Sequence, residues 1–114
     1  MNLAIQKEGN ILFLRPGFAR LDTATSREFK GECIDAIDQE VLYGILNLSN
    51  VEFVDSSGLA AIIQLLKIFK KAGGNLLLCH VKPPVMSLFT VSRIESAFVI
   101  AKDEAQALVF INKV

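Results

Sequence analysis

Two adjacent serines, Ser56 and Ser57, lie in a stretch that reads Phe-Val-Asp-Ser-Ser-Gly-Leu-Ala from Phe53 to Ala60. Apolar residues before and after this stretch indicate a strand that hands over to a helix. Sites in open α/β sheets form beyond the carboxyl ends of strands, and a helix start favours an anion. Because Asp and Ser are also preferred N-cap residues, the residues alone favour Asp55 to Gly58 as a capped helix start with a tight turn.

A nucleophilic role for these serines would require a nearby base, most often a histidine with an orienting acid. His80 is the one histidine of the chain, and it falls at the end of a predicted strand. The stretch does not read Gly-x-Ser-x-Gly, and no phosphate-binding or dinucleotide-binding glycine loop occurs. The sequence therefore predicts no enzyme, no cofactor and no metal site.

The composition of the chain is that of one globular domain covering residues 1–114. Hydrophobic residues make up 52% and charged residues 21%, and twelve basic residues balance twelve acidic ones. This balance gives no reason to expect a nucleic-acid partner. The sequence has no Cys-x-x-Cys motif, signal peptide or membrane-length apolar run, so we expect a soluble, cytoplasmic protein with Cys33 and Cys79 as small core residues.

The apolar patterns predict strands alternating with helices. Strands are expected at residues 3–7 and 10–15, joined by a Gly9-Asn10 turn, and at 41–48, 75–81 and 97–100. Helices are expected after a cap at Asp22 or Thr23, with Phe29, Cys33, Ile34 and Ile37 on one face, from Gly58 to Lys71, from Pro83 to about Ser92, and from Asp103. The order β-β-α-β-α-β-α-β-α predicts a layered α/β domain with a mostly parallel sheet of four or five strands and about four helices.

The Asp-Ser-Ser-Gly-Leu run resembles the signature of STAS domains, the fold of bacterial anti-sigma-factor antagonists. Further similarity lies in Leu21-Asp22-Thr23, in the strand before the signature, in Lys71 to Leu76, and in Pro83 to Phe89. The resemblance thus covers nearly the whole chain.

The resemblance implies a phosphoswitch in which the first serine of the pair, Ser56, accepts the phosphoryl group. It implies a structural hydroxyl for Ser57, a turn shaped by Asp55, and a position for Asp22 on a neighbouring loop. Gly58 belongs to the same switch region. The apolar pattern separately predicts that most of the following helix face is core, and that its early part, Leu59, Ala60 and Ile63, contributes an exposed patch for partner binding. The expected partners are a serine kinase/anti-sigma factor of the histidine-kinase-like ATPase type and a PPM-type phosphatase, with the protein itself a monomer.

Two alternatives accompany this interpretation. STAS domains also serve as constitutive subunits of membrane transport ATPase complexes, in which binding would not depend on Ser56. The loop before Asp22 carries Ala19-Arg20 where family members often have glycine, which predicts a different loop shape. Arg20 is then either a solvated surface residue or a contact for a phosphate or an acidic partner.

Overall fold

The computed structural model describes residues 1–113. Its elements are β1 (Leu3–Glu8), β2 (Ile11–Pro16), β3 (Arg20–Leu21), α1 (Ser26–Ala36), β4 (Tyr43–Asn47), β5 (Phe53–Val54), α2 (Ser56–Lys71), β6 (Asn75–Cys79), α3 (Pro83–Val91), β7 (Val99–Ala101) and α4 (Glu104–Asn112). A 3₁₀ turn at Glu95–Ala97 precedes β7.

Five strands form one mixed sheet in the order β1-β2-β4-β6-β7. The β1–β2 hairpin is antiparallel, and its turn places Gly9 at a φ of 61°, a conformation that glycine adopts without strain. The other neighbours are parallel. The predicted α/β class and the mostly parallel sheet with four helices are therefore confirmed.

Alternation along the strands divides the core into two layers, since successive side chains of a strand point to opposite faces. On one face, Leu14, Leu46 and Leu78 pack against buried residues of α1, α2 and α3. On the other face, Phe13, Ile45, Leu77 and Cys79 pack against Ala107 and Ile111 of α4. Of the helices within residues 1–113, only α4 packs on this second face of the sheet.

The end of α2 and the start of α3 lie where the glycine and proline residues predicted them. Gly73, at a φ of 97°, follows the last residues of α2, and Pro83 and Pro84 occupy the first turn of α3. Within residues 1–113, no helix combines the length and apolar character that crossing a membrane requires.

Two predictions about α1 are wrong. The helix begins at Ser26 with Thr25 in the cap position, and Asp22 and Thr23 lie in a preceding turn. Ile34, expected on the inward face, is 39% exposed because it lies about 140° around the helix from Phe29. The short strands β3 and β5 were not predicted.

Candidate functional site

The two short strands bring together two segments that are far apart in sequence. β3 and β5 run parallel, with Arg20 opposite Phe53 and Leu21 opposite Val54. The Asp55 N–H donates to the Leu21 carbonyl at 3.2 Å, which continues the pairing by one step. The turn that follows β3 therefore lies directly beside the start of α2.

Asp55 holds both segments with one carboxylate. Its Oδ1 accepts from the Gly58 N–H at 3.0 Å, which caps α2. Its Oδ2 accepts from the Thr23 N–H at 3.2 Å and from the Thr23 hydroxyl at 3.3 Å. The backbone hydrogen bond from Gly58, followed by the bonds from Thr23, lowers the pKa of Asp55 below its ordinary value. The carboxylate thus stabilises the helix start and the loop junction together.

The two serines occupy different environments. Ser57 is half-buried, and its Oγ lies 3.2 Å from the Thr23 hydroxyl. Ser56 is exposed as the first residue of α2, and its hydroxyl makes no hydrogen bond within residues 1–113. Of the pair, Ser56 is therefore the hydroxyl that a modifying enzyme could reach without breaking an internal contact.

Asp22 and Arg20 form the outer edge of the site. Asp22 Oδ1 accepts from the Ala24 N–H at 3.0 Å, and Asp22 Oδ2 accepts from Arg20 Nε at 3.2 Å. The Arg20 guanidinium also lies over the Phe53 ring, 4.1 Å from its centroid, while its side chain stays 62% exposed. Arg20 is thus neither fully solvated nor buried, but held over an aromatic ring that is itself 40% exposed.

Gly58 marks the closest approach of α2 to β3. A Cβ at this position would stand 2.2 Å from the Leu21 carbonyl oxygen, which is closer than any real contact. A side chain there would push the start of α2 away from β3. The glycine of the signature therefore has a packing reason that is independent of any chemistry.

The apolar residues after Gly58 differ from the expectation in one respect. Leu59 is only 7% exposed and belongs to the core, so the exposed contribution predicted for it is wrong. Ile63 is half-buried and packs against the same core, whereas Ala60 is exposed. Leu59 points inward because it lies one turn from the buried Ile62 on the core-facing side of α2.

Within residues 1–113, side chains that could bind a metal ion or act as a catalytic base are not grouped at this site. Among residues 1–113, no group of three or more His, Cys, Asp or Glu side chains could hold a metal ion. His80 directly follows β6. Within residues 1–113 it forms no hydrogen bond with Ser56 or Ser57.

Sequence reasoning missed the part that Thr23 plays. Thr23 was considered as a helix cap, yet it bonds to Asp55 and lies beside the Ser57 hydroxyl. Those contacts span 32 and 34 residues, so no local pattern could reveal them. The stacking of Arg20 on Phe53 was missed for the same reason, although a β3 strand paired with β5 would have predicted it.

This sheet topology, with a serine pair at the Asp55-capped start of α2, agrees with the STAS resemblance seen in the sequence. The STAS domain family matches residues 2–107, and the chain belongs to this family. It is 33% identical over 111 residues to an anti-sigma F factor antagonist of Paenibacillus polymyxa, covering 95% of this chain and 94% of that protein.

Solved structures show the same fold at lower identity. A putative anti-sigma factor antagonist of Thermotoga maritima superposes with a TM-score of 0.89 at 21% identity, covering 96% of this chain and 94% of that one. The unphosphorylated antagonist SpoIIAA gives 0.82 at 21% identity, with 98% and 97% covered. The phosphorylated form of Bacillus SpoIIAA gives 0.72 at 21% identity, with 96% and 98% covered.

Proposed function

We propose that this protein is a non-enzymatic phosphoswitch, an anti-sigma-factor antagonist whose binding to a partner is controlled by reversible phosphorylation of Ser56. The observation that carries the proposal is the contrast between the two serines. Ser56 is exposed and unbonded, while Ser57 is engaged with Thr23. The 33% identity to an anti-sigma F factor antagonist over 95% of the chain supports the same role.

The position of Ser56 lets the fold tolerate a phosphate. Phosphorylation adds about −1.5 to −2 charges, and the start of a helix favours negative charge by about 0.3–1 kcal/mol. The first turn of α2 contains no acidic residue, so the Asp55 carboxylate at the cap is the acidic group next to the phosphate, and its charge is shared with the Gly58 and Thr23 donors. The domain is therefore expected to stay folded after modification.

A partner packed over the same turn would not tolerate the phosphate. It would bury a dianion beside the ionised Asp55. Asp22, on the neighbouring turn, is already paired with Arg20. Burying an uncompensated charge costs several kcal/mol, and about 4 kcal/mol corresponds to roughly 10³-fold in affinity. A local charge change can thus release the partner without a rearrangement of the fold.

The expected partners are those that the resemblance to anti-sigma-factor antagonists implies. A serine kinase of the histidine-kinase-like ATPase type would act both as the anti-sigma factor and as the enzyme that modifies Ser56. A PPM-type phosphatase would reverse the modification. The Asp22 turn, the exposed Ala60 and the half-buried Ile63 border the switch and would form the contact surface of a monomeric antagonist.

Variants of the two serines test the proposal directly. Affinity capture from the native cell with Ser56→Ala as bait is expected to recover a kinase of this type. The purified kinase should then phosphorylate the native protein and Ser57→Ala but not Ser56→Ala, as read by intact mass. Ser56→Asp should weaken kinase binding by about tenfold or more, since its single charge reproduces part of the phosphate.

The control is Ser96→Asp, which places the same charge on the exposed 3₁₀ turn outside the switch. It should bind like the native protein. Equal affinity of Ser56→Ala, Ser56→Asp and native protein would contradict the proposal. Recovery of a membrane transport ATPase that binds regardless of Ser56 would instead favour the constitutive subunit.

A further inference from the structure

A crevice lies at the carboxyl ends of β6 and β7, lined by residues other than the serine pair. It has a volume of about 510 Å³, which is within the usual range for small-molecule sites. Its walls combine apolar side chains of Val81, Met86 and Ile100 with the polar groups of His80, Lys102 and Gln106.

The topology explains why a crevice forms there. The chain leaves β6 into α3, which packs on one face of the sheet, and leaves β7 into α4, which packs on the other. Adjacent parallel strands whose following helices depart to opposite faces leave a gap between them. Ligands of open α/β sheets bind preferentially in such gaps, and β6 and β7 are parallel neighbours.

The polar groups of the crevice are cationic or hydrogen-bond donors. Neither the His80 ring nor the Lys102 ammonium group has an ion-pair or hydrogen-bond partner in the described chain. The Gln106 carbonyl oxygen accepts from the Lys102 backbone N–H at 2.7 Å, which leaves the Gln106 amide N–H groups to donate. Three donors therefore surround one opening.

The acidic residues nearby are already engaged. Glu104 accepts from Arg15 Nε at 2.8 Å, from a terminal Arg15 nitrogen at 2.9 Å and from the Asn47 amide at 2.9 Å. Asp103 Oδ1 accepts from the Gln106 N–H at 2.8 Å. Arg15 offsets the charge of Glu104, and within residues 1–113 the Lys102 ammonium group has no acidic partner that would compete with an entering anion.

His80 is also held in an unusual backbone conformation. Its φ is 53°, in the left-handed region that non-glycine residues adopt rarely and that recurs at binding sites. The chain turns at His80 as it leaves β6, and the next residue, Val81, forms part of the crevice wall.

We infer that this crevice binds a small organic anion, a carboxylate or phosphate ester that carries a short apolar chain. His80, Lys102 and Gln106 receive the anionic head, and the chain contacts Val81, Met86 and Ile100. None of the residues that line it belongs to the serine-pair site, so the inference does not rest on the phosphoswitch.

The test is a titration of the full chain followed by amide chemical shifts in NMR spectra. The probes are n-butyl phosphate, butyrate, inorganic phosphate and n-butanol. A saturable shift of the lining residues is expected for n-butyl phosphate, butyrate or both, with a Kd on the order of 1 mM. Which of the two binds more tightly assigns the head group.

Three variants locate the binding. His80→Asn removes the ring but keeps a residue that tolerates the left-handed conformation, and Lys102→Gln removes an exposed charge. Each should weaken binding about tenfold, the loss expected for one charge-assisted hydrogen bond. Lys67→Gln, on the exposed face of α2, should leave the Kd unchanged.

Several outcomes would overturn the inference. One is the absence of saturation by either organic anion up to about 50 mM, where a site of millimolar affinity would be filled. Another is equal affinity for n-butanol, which would show that the anionic head does not contribute to binding. Equal affinity for inorganic phosphate would show the same of the apolar chain. A third is an unchanged Kd in both His80→Asn and Lys102→Gln.

Discussion

At the scale of single residues, the decisive group is the Asp55 carboxylate. It caps α2 through Gly58 and also anchors Thr23, so one side chain serves both the helix and the neighbouring loop. Its neighbour Ser56 is exposed, and its hydroxyl makes no hydrogen bond within residues 1–113, which makes Ser56 the better candidate for modification. Whether Ser56 is the phosphorylated residue stays a prediction.

The charge of Asp55 is expected to make stability depend on acid pH. Because the folded state lowers the pKa of Asp55, its stabilising contribution is complete above the ordinary value and is lost as pH falls through the folded value. Asp55→Asn keeps a good cap without the charge. The advantage of the native protein over Asp55→Asn should therefore shrink below about pH 4, as measured by urea unfolding between about pH 7 and pH 2.5.

A matched control is Asp35→Asn, an exposed aspartate of α1 that makes no contact with the switch. Its unfolding free energy should follow that of the native protein over the same range. Parallel curves for Asp55→Asn and the native protein would show that the cap does not depend on charge.

At the scale of elements, the site depends on how closely α2 approaches β3. The short strands β3 and β5 set that distance, and Gly58 is the residue that permits it. The signature glycine is therefore a packing requirement between two elements, and its effect on function would be indirect.

Gly58→Ala is expected to destabilise the protein by about 1–3 kcal/mol, because the added Cβ collides with the backbone oxygen of Leu21. The collision itself should therefore cost more than the gain of about 1 kcal/mol that alanine brings to a helix interior. Urea unfolding followed by circular dichroism measures the change.

The control substitution is Gly31→Ala in α1, where a Cβ would meet nothing within 4 Å. It should stabilise the protein by about 0.5–1 kcal/mol, since only the helix preference changes. If Gly58→Ala were as stabilising as Gly31→Ala, the close approach of α2 and β3 would be refuted.

At the scale of the whole molecule, one sheet joins two cores. Cys33 of α1 belongs to the layer under α1, α2 and α3, and Cys79 of β6 belongs to the layer under α4. Burial raises the pKa of each thiol to about 12, so both are poor nucleophiles in the folded protein. The two thiols therefore report separately on the two layers.

We expect both layers to open in one transition. In the variants Cys79→Ala and Cys33→Ala, the remaining thiol should resist iodoacetamide until the urea concentration at which that variant unfolds by circular dichroism. Rapid labelling of either thiol in buffer, or loss of Cys79 protection well before global unfolding, would show that the α4 layer opens alone.

Much of this architecture is encoded locally. Hydrophobic periodicity predicted four helices and the main strands, and Gly73 and Pro83 marked the end of α2 and the start of α3. The Asp55 cap was predictable as well, because the bond from Gly58 to Asp55 spans three residues. Such features depend on neighbours in sequence, and the residue types alone identify them.

The sequence by itself thus determined the layered α/β class, the family signature and the place of the serine pair at a strand-to-helix junction. Only the tertiary structure decided that Thr23 bonds Asp55 and approaches Ser57, that Leu59 is buried, and that Arg20 stacks on Phe53. The physical reason is range: these contacts form only after α1 and α2 pack on the same face of the sheet and β3 pairs with β5.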